Sequence, residues 1–198
     1  LEDKKKTDQY QNNIKRKVFS QKFNNIDDYL SSLEMELHLF TCNELNISRI
    51  SQMTQKTNQF NLTTKRYLEE DLVNINNNKN LINCLSVKDR FGDNGITVAS
   101  VILIDQHIAV IDSFLLSCRI LGRGIEEAYL LLLLNNLFKI GITKVEAKYI
   151  PTEKNIQTAE FYENQGFNLI KNEKSGSKSY SLELLKTYPI KKYYKFIS

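Results

Sequence analysis

Apolar residues recur along this chain with two different periods, which divide it into helical and extended stretches. Over residues 1–33 they are sparse. Tyr10, Ile14, Val18 and Phe19 leave one narrow stripe, the pattern of a helix packed on a larger body. Asp27 and Asp28 open a short helix, DDYLSSL. MELHLF then alternates, with Met35, Leu37 and Leu39 on one face of a strand. ISRISQMTQKTNQF predicts a helix buried along Ile47, Ile50 and Met53, ending in the polar loop Asn58 to Thr64. LEEDLVNI is a short acidic helix, followed by an Asn-rich turn from Asn74 to Asn80.

The period then falls to two. LINCLSVKDRF, ITVASVILI and IAVIDSFLLSC are three strands in succession. The Gly92-Asp93-Asn94-Gly95 segment predicts the first turn between them, because Asn-Gly tolerates positive φ. After Gly124, IEEAYLLLLLNNLFKIG is apolar nearly all round and stops at Gly141, as a helix buried against a sheet does. KVEAKYI is a strand, NIQTAEFYENQGF a helix ended by Gly166, and FNLIKNE and SYSLELL two closing strands. The tail YPIKKYYKFIS adds a last strand or a docking edge. This order defines an α+β class with a central sheet. Residues 1–33 form a connecting helix and residues 34–198 the main domain.

Composition narrows the function. The net charge of +4 is small, and basic and acidic residues are interleaved, which argues against nucleic acid. Three separated cysteines with no CxxC pair point to a reduced, cytoplasmic protein. Two histidines without partners at ligand spacing give no metal site. The longest apolar run, Ala128 to Leu134, falls far short of the ~20 residues that cross a bilayer. The charged start LEDKKKTDQY is no secretory signal and lacks an initiator Met, as in a fragment of a longer protein.

Two segments carry candidate chemistry. Arg119-Ile120-Leu121-Gly122-Arg123-Gly124 joins a strand to a long helix. Glycines admit close backbone approach, and free N–H groups at a helix start bind phosphate. The alternative is a tight strand–helix turn. In the second segment, Asn155, Ala159 and Tyr162 fall near one face of the expected helix, where Tyr162 either supplies a hydroxyl or belongs to the core.

Together the two segments resemble the acyl-CoA-binding signature of the GNAT acetyltransferases, R/Q-x-x-G-x-G/A followed by N-x-x-A-x-x-x-Y-x-x-x-G-F. The resemblance implies the GNAT fold. It implies that Arg119, Leu121, Gly122, Arg123 and Gly124, with Asn155, hold coenzyme A or a carrier-borne phosphopantetheine. It also implies that Tyr162 acts as general acid toward a thiolate.

RISQMTQKTNQFNLTTKRY (49–67), VKDRFGDNG (87–95), IDSFLLSCRILGRGIE (111–126), YIPTEKN (149–155) and FYENQGF (161–167) resemble the C-terminal region of FkbH-like proteins. That resemblance covers nearly the whole chain. It implies transfer of a glyceryl unit, derived from 1,3-bisphosphoglycerate, to the phosphopantetheine thiol of an acyl carrier protein in polyketide biosynthesis. The implied partners are that carrier, a small-molecule acyl phosphate and an N-terminal HAD-type phosphatase domain. No D-x-D-x-T/V phosphatase motif occurs here, so phosphate removal is not assigned to this chain.

Cys118 then becomes the candidate nucleophile. Arg119 and the following helix start favour its thiolate, and a thiolate can carry an acyl group between donor and acceptor; the alternative is a small cysteine at a strand end. Strand alternation puts Asp112 on the same face as a base or orienter. Asn58, Gln59, Asn61, Thr63 and Thr64 offer donors to a polyhydroxy acyl group or simply form a helix C-cap and turn, and Arg66, Arg90 and Arg123 offer charges to a phosphate or to the acidic carrier protein, or are solvated. Two competing expectations are acetyl-CoA-dependent N-acetylation and a non-catalytic module that docks the carrier.

Overall fold

A computed structural model describes residues 2–78 and 80–197, with side chains from residue 11 onward. The expected contribution of the Tyr10 side chain lies outside the described residues. Two helices, α1 (Glu2–Ser20) and α2 (Ile26–Ser32), precede β1 (Glu36–Thr41). Next come α3 (Ile47–Lys56), the short β2 (Phe60–Asn61) and α4 (Glu69–Asn77). The meander β3 (Leu81–Asp89), β4 (Gly92–Asp105) and β5 (Ile108–Leu116) leads through a 3-10 turn at Cys118–Ile120 into α5 (Ile125–Lys139). The chain closes with β6 (Lys144–Tyr149), a 3-10 turn at Ile156–Thr158, α6 (Phe161–Asn164), β7 (Asn168–Asn172), β8 (Lys178–Glu183) and β9 (Lys195–Ile197).

The strands form one sheet in the order β7-β8-β6-β5-β4-β3-β1-β9, with β2 attached to β5. Pairing is antiparallel except between β5 and β6 and between β1 and β9. Both faces are covered, and strand alternation sorts the side chains between them. Ile82, Cys84, Ala99 and Val101 lie under α3 and α4, with Ile50, Met53 and Leu72. Leu85, Val87, Val98 and Ile102 face α2 and α5, with Leu30, Leu33, Leu130 and Leu134. The all-round apolar pattern of α5 is thereby explained, and its Tyr129 bonds Ser100 at 2.7 Å in the interior.

The N-terminal helices are tied to this body. Arg16 is buried and binds Asp89 Oδ2 at 2.6 Å; Arg123 meets the same carboxylate at 3.0 Å. Leu30 and Leu33 belong to the core of the sheet.

Two elements differ from the sequence reading. The β3–β4 turn is Arg90–Phe91, and Gly92 to Gly95 lie within β4, where the register with β3 shifts. Asn94 is buried there and donates to Val87 O at 3.1 Å, so the Asn-Gly pair serves a bulge rather than the turn. The expected helix over 155–167 is also interrupted. A 3-10 turn and one helical turn replace it, and Asn155, Ala159 and Tyr162 therefore do not share a helical face.

Candidate functional site

β5 and β6 run parallel and pair only from Ile108–Lys144 to Ile111–Ala147. Beyond that point they part, and the chain's own segment after α3 fills the opening. Phe60 and Asn61 pair with Leu116 and Leu115 of β5. Leu62 N–H donates to Phe114 O at 3.2 Å, and its carbonyl accepts from Ile150 N–H at 2.8 Å. The local sequence suits a strand between strands: Phe60 and Leu62 enter the core, while Asn61 and Thr63 are held by hydrogen bonds. The Phe60 ring meets Phe161 edge-on at 5.1 Å. Burying Leu62 alone contributes about 1.5–3 kcal/mol. A pantetheine arm does not fit between β5 and β6 while this segment is in place.

Outside the filled opening lies a cleft of about 740 Å³. Cys118 and Ser117 form its floor at the end of β5. The polar face of α3 supplies Arg49, Gln52 and Lys56; the loops supply Asn58, Gln59, Glu153 and Lys154. Three cations thus face one carboxylate. Arg49 is anchored by Nε and Nη2 to Ile96 O, at 3.4 and 3.3 Å, and by Nη1 to Gln52. Burial and then the charge of Arg119 lower its pKa from the usual arginine value. The Cys118 thiol is exposed, whereas Cys42 and Cys84 are buried. Burial pushes Cys84 up to about 12.

The turn from Arg119 to Gly124 is largely committed to the protein itself. Arg123 is buried; it donates to Asp89 at 3.0 Å and to Arg119 O at 2.5 Å. Burial lowers it to about 10. Gly124 has φ +64 and lies so close to the C-terminal tail that a Cβ there would stand 2.5 Å from Tyr194 Oη. Tyr194 O–H donates to Arg123 O at 2.7 Å. Burial raises the pKa of the Glu126 carboxylate above the usual glutamate value, against the opposing pull of nearby backbone N–H dipoles. Glu126 lies in the first turn of α5, and its Oε2 is buried without a partner among the described residues.

Several sequence expectations are corrected by this geometry. Asp112 does not share a face with Cys118, because β5 ends at Leu116 and Cys118 lies in a 3-10 turn. Its carboxylate accepts from Lys65 and from Tyr67 O–H. Tyr162 is only 1% exposed. It lies among Phe161, Phe167 and Tyr180, its hydroxyl has no partner among the described residues, and burial raises its pKa. Asn155 is fully buried and bonded to Asn61 O, Ile150 O and Thr152 N–H, so it has no amide to offer a cofactor. Arg90 donates to Ser32 O and stacks on Phe19, in the β3–β4 turn. Arg123 is sequestered by Asp89. Asn61 and Thr63 are buried in the strand opening. Cys118 also precedes α5 by seven residues, beyond the reach of a dipole that fades within the first turn.

Other expected residues do meet. Asn58 and Gln59 line the cleft with Cys118. Thr64 borders an adjoining hollow with Arg66 and Lys154, although Arg66 is tied to Thr57 O and Asn58. Leu121 is half-buried against the core, and Arg119 Nε donates to Ser117 Oγ at 3.2 Å. Arg49, Gln52, Lys56 and Lys154 were not signalled as site residues. The spacing of the first three was legible as one polar helix face, but only the arrival of Cys118 beside it gives that face a meaning.

No protein-family model matches the chain, and no curated protein matches it in sequence. The fold has many solved counterparts. The Escherichia coli ribosomal-protein-S18-alanine N-acetyltransferase is similar with a TM-score of 0.58 at 13% identity, over 77% of this chain and 96% of that one. The Thermoplasma acidophilum PaiA N-acetyltransferase, solved with coenzyme A, gives 0.58 at 13%, over 74% and 98%. The Neisseria gonorrhoeae N-acetylglutamate synthase, complexed with coenzyme A and N-acetyl-glutamate, gives 0.57 at 14%, over 76% of this chain and 35% of that one. The fold is that of the GNAT acetyltransferases: a mixed, mostly antiparallel sheet flanked by helices. Among the described residues no helix is long and apolar enough to cross a membrane, and no group of three or more His, Cys, Asp or Glu is placed to hold a metal.

Proposed function

We propose that this domain is an acyltransferase that moves a short acyl group, glyceryl in the reading the sequence favours, onto the phosphopantetheine thiol of an acyl carrier protein. The observation that carries the reading is the exposed Cys118 thiol on a cleft lined by Arg49, Lys56 and Lys154. A cationic surround suits an anionic acyl phosphate, and a thiol is the nucleophile such a donor acylates. In the first half-reaction the Cys118 thiolate attacks the acyl carbon. A C–S bond forms, the C–O bond to phosphate breaks, and phosphate leaves with the electron pair. In the second, the carrier's thiolate attacks the thioester carbon; its C–S bond forms as that to Cys118 breaks, and the Cys118 sulfur leaves as thiolate.

The test is incubation with 1,3-bisphosphoglycerate and holo-carrier, followed by intact-mass spectrometry. A glyceryl adduct on the protein, lost in Cys118→Ala and passed to the carrier in wild type, supports the reading. Absence of any adduct on protein or carrier overturns it. Wild-type loading by Cys118→Ala removes the covalent step alone.

Likeness to N-acetyltransferase folds favours a second reading, acetyl transfer from acetyl-CoA to an amine. It needs a coenzyme seat, and the filled opening between β5 and β6 weighs against one there. Calorimetric titration with acetyl-CoA separates the two: tight binding favours amine acetylation, and none removes it.

A further inference from the structure

We infer that the phosphoryl-binding site of this domain is the cleft of Arg49, Lys56 and Lys154 around Cys118, and not the glycine turn at the start of α5. In this fold the strand opening and that turn are the two places the signature assigns to the arm and its phosphates. Both are taken by the chain itself. Phe60 to Thr63 bridge β5 and β6 as an added strand. At the turn, Glu126 Oε2 is buried without a partner among the described residues, Arg123 is drawn inward onto Asp89, and Tyr194 covers Gly124.

Charge separates the two candidate places. The cavity of about 790 Å³ that borders Gly122 and Gly124 presents Asp27, Glu126 and Glu127 against Lys191 and Lys192. A phosphate there faces the carboxylates of Asp27, Glu126 and Glu127, and like charges at contact distance repel strongly where water is excluded. The outer cleft presents Arg49, Lys56 and Lys154 against Glu153 alone. A guanidinium carries five N–H donors; the bonds of Arg49 to Ile96 and Gln52 use three of its N–H groups. They also fix the direction of the fork. Lys56 and Lys154 are exposed, and no carboxylate pairs with them among the described residues. A phosphate bound here lies over the Cys118 thiol.

The ligand chemistry is a phosphate ester or acyl phosphate, from the acyl donor or from the carrier's arm. The inference rests on the acyl-transfer reading for its purpose, but alkylation of Cys118 reports binding whether or not an acyl group moves. Cys42 and Cys84 are buried, so iodoacetamide reads Cys118. We expect 3-phosphoglycerate or phosphopantothenate to slow alkylation several-fold, and pantothenate, which lacks phosphate, to leave it unchanged. The stronger protector of the two phosphates identifies the source. Protection should be lost in Lys56→Ala/Lys154→Ala, whose side chains are exposed, and in Arg49→Ala. It should persist in Glu126→Gln. No protection by either phosphate, equal protection by pantothenate, or protection that survives in the lysine double variant overturns the inference. Protection without glyceryl transfer sinks the proposed function alone; transfer without protection sinks this site alone.

Discussion

The side-chain amide of Asn155 donates to the carbonyl of Asn61 at 2.9 Å, across 94 positions of sequence. The same nitrogen reaches Ile150 O at 2.9 Å, while Oδ1 accepts from Thr152 N–H at 2.7 Å and from Tyr149 O–H at 3.2 Å. One side chain therefore closes the gap between the end of β6 and the segment that fills the strand opening. Asn155→Ala should cost about 2–4 kcal/mol, because buried carbonyls and an N–H lose their partner with no water to replace it. Asn155→Asp should rescue little, since a carboxylate cannot donate to Asn61 O or Ile150 O. Urea midpoints at neutral pH check both.

Gly122 and Gly124 both have positive φ, yet they should respond differently to alanine. At Gly122 a Cβ meets nothing within 4 Å, so Gly122→Ala pays only the left-handed backbone cost, about 1–2 kcal/mol. At Gly124 a Cβ would also meet Tyr194 Oη at 2.5 Å, with the next ring atom 3.8 Å away. The clash is thus with the hydroxyl alone. Gly124→Ala should be the more damaging change, and Tyr194→Phe should recover part of the loss in the double variant. Tyr194→Phe alone is destabilising, since it gives up the bond to Arg123 O. The cycle is then non-additive in a direction that a purely backbone effect does not produce, readable from denaturation midpoints of the four proteins.

These two cases show what the sequence conveys and where it stops. The element order, the meander and the buried α5 were legible because period-two and period-3.6 patterns report which face is covered. The GNAT fold followed from that order and from the spacing of Gly122, Gly124, Asn155 and Tyr162. The roles of those same residues did not follow. A motif records residue types at intervals, whereas Asn155 is consumed by Asn61, a partner distant in sequence, and Arg123 by Asp89. Of the residues that line the cleft, Cys118, Asn58 and Gln59 were singled out by the sequence. It was not legible in Arg49, Lys56 and Lys154, whose charges look like ordinary solvated positions until the ends of β5 and β6 bring them beside a thiol.

Glu126 gives a pH-dependent test of the closed turn. Its pKa is raised from 4.5, chiefly by burial. A carboxylic acid with a folded-state value above the unfolded one opposes folding in its charged form. The penalty is absent where the group is protonated in both states, grows as pH rises through 4.5 toward the folded-state value, and is complete above it. Glu126→Gln should therefore be more stable than wild type at about pH 7, and the difference should shrink toward about pH 4. Urea denaturation across that range measures it. A difference that grows on acidification would mean that the charged carboxylate is stabilised in the fold, contrary to the burial that raises its pKa.

The filled strand opening makes a prediction for hydrogen exchange. The amides of Leu62 and Ile150 lie in the added strand and at the end of β6, bonded to Phe114 O and Leu62 O. Leu62 is fully buried and Phe60 is packed on Phe161, so release of the segment exposes apolar surface together with its hydrogen bonds. Both amides should exchange as slowly as the core strands, with or without saturating acetyl-CoA. Phe60→Ala removes a ring from the core, a change that costs about 3–5 kcal/mol at buried sites, and should accelerate both amides together because one segment joins them. If acetyl-CoA instead speeds exchange at Leu62 in the wild-type protein, the segment yields its place to the coenzyme. The opening between β5 and β6 is then a gate, and the amine-acetylation reading gains the seat that it otherwise lacks.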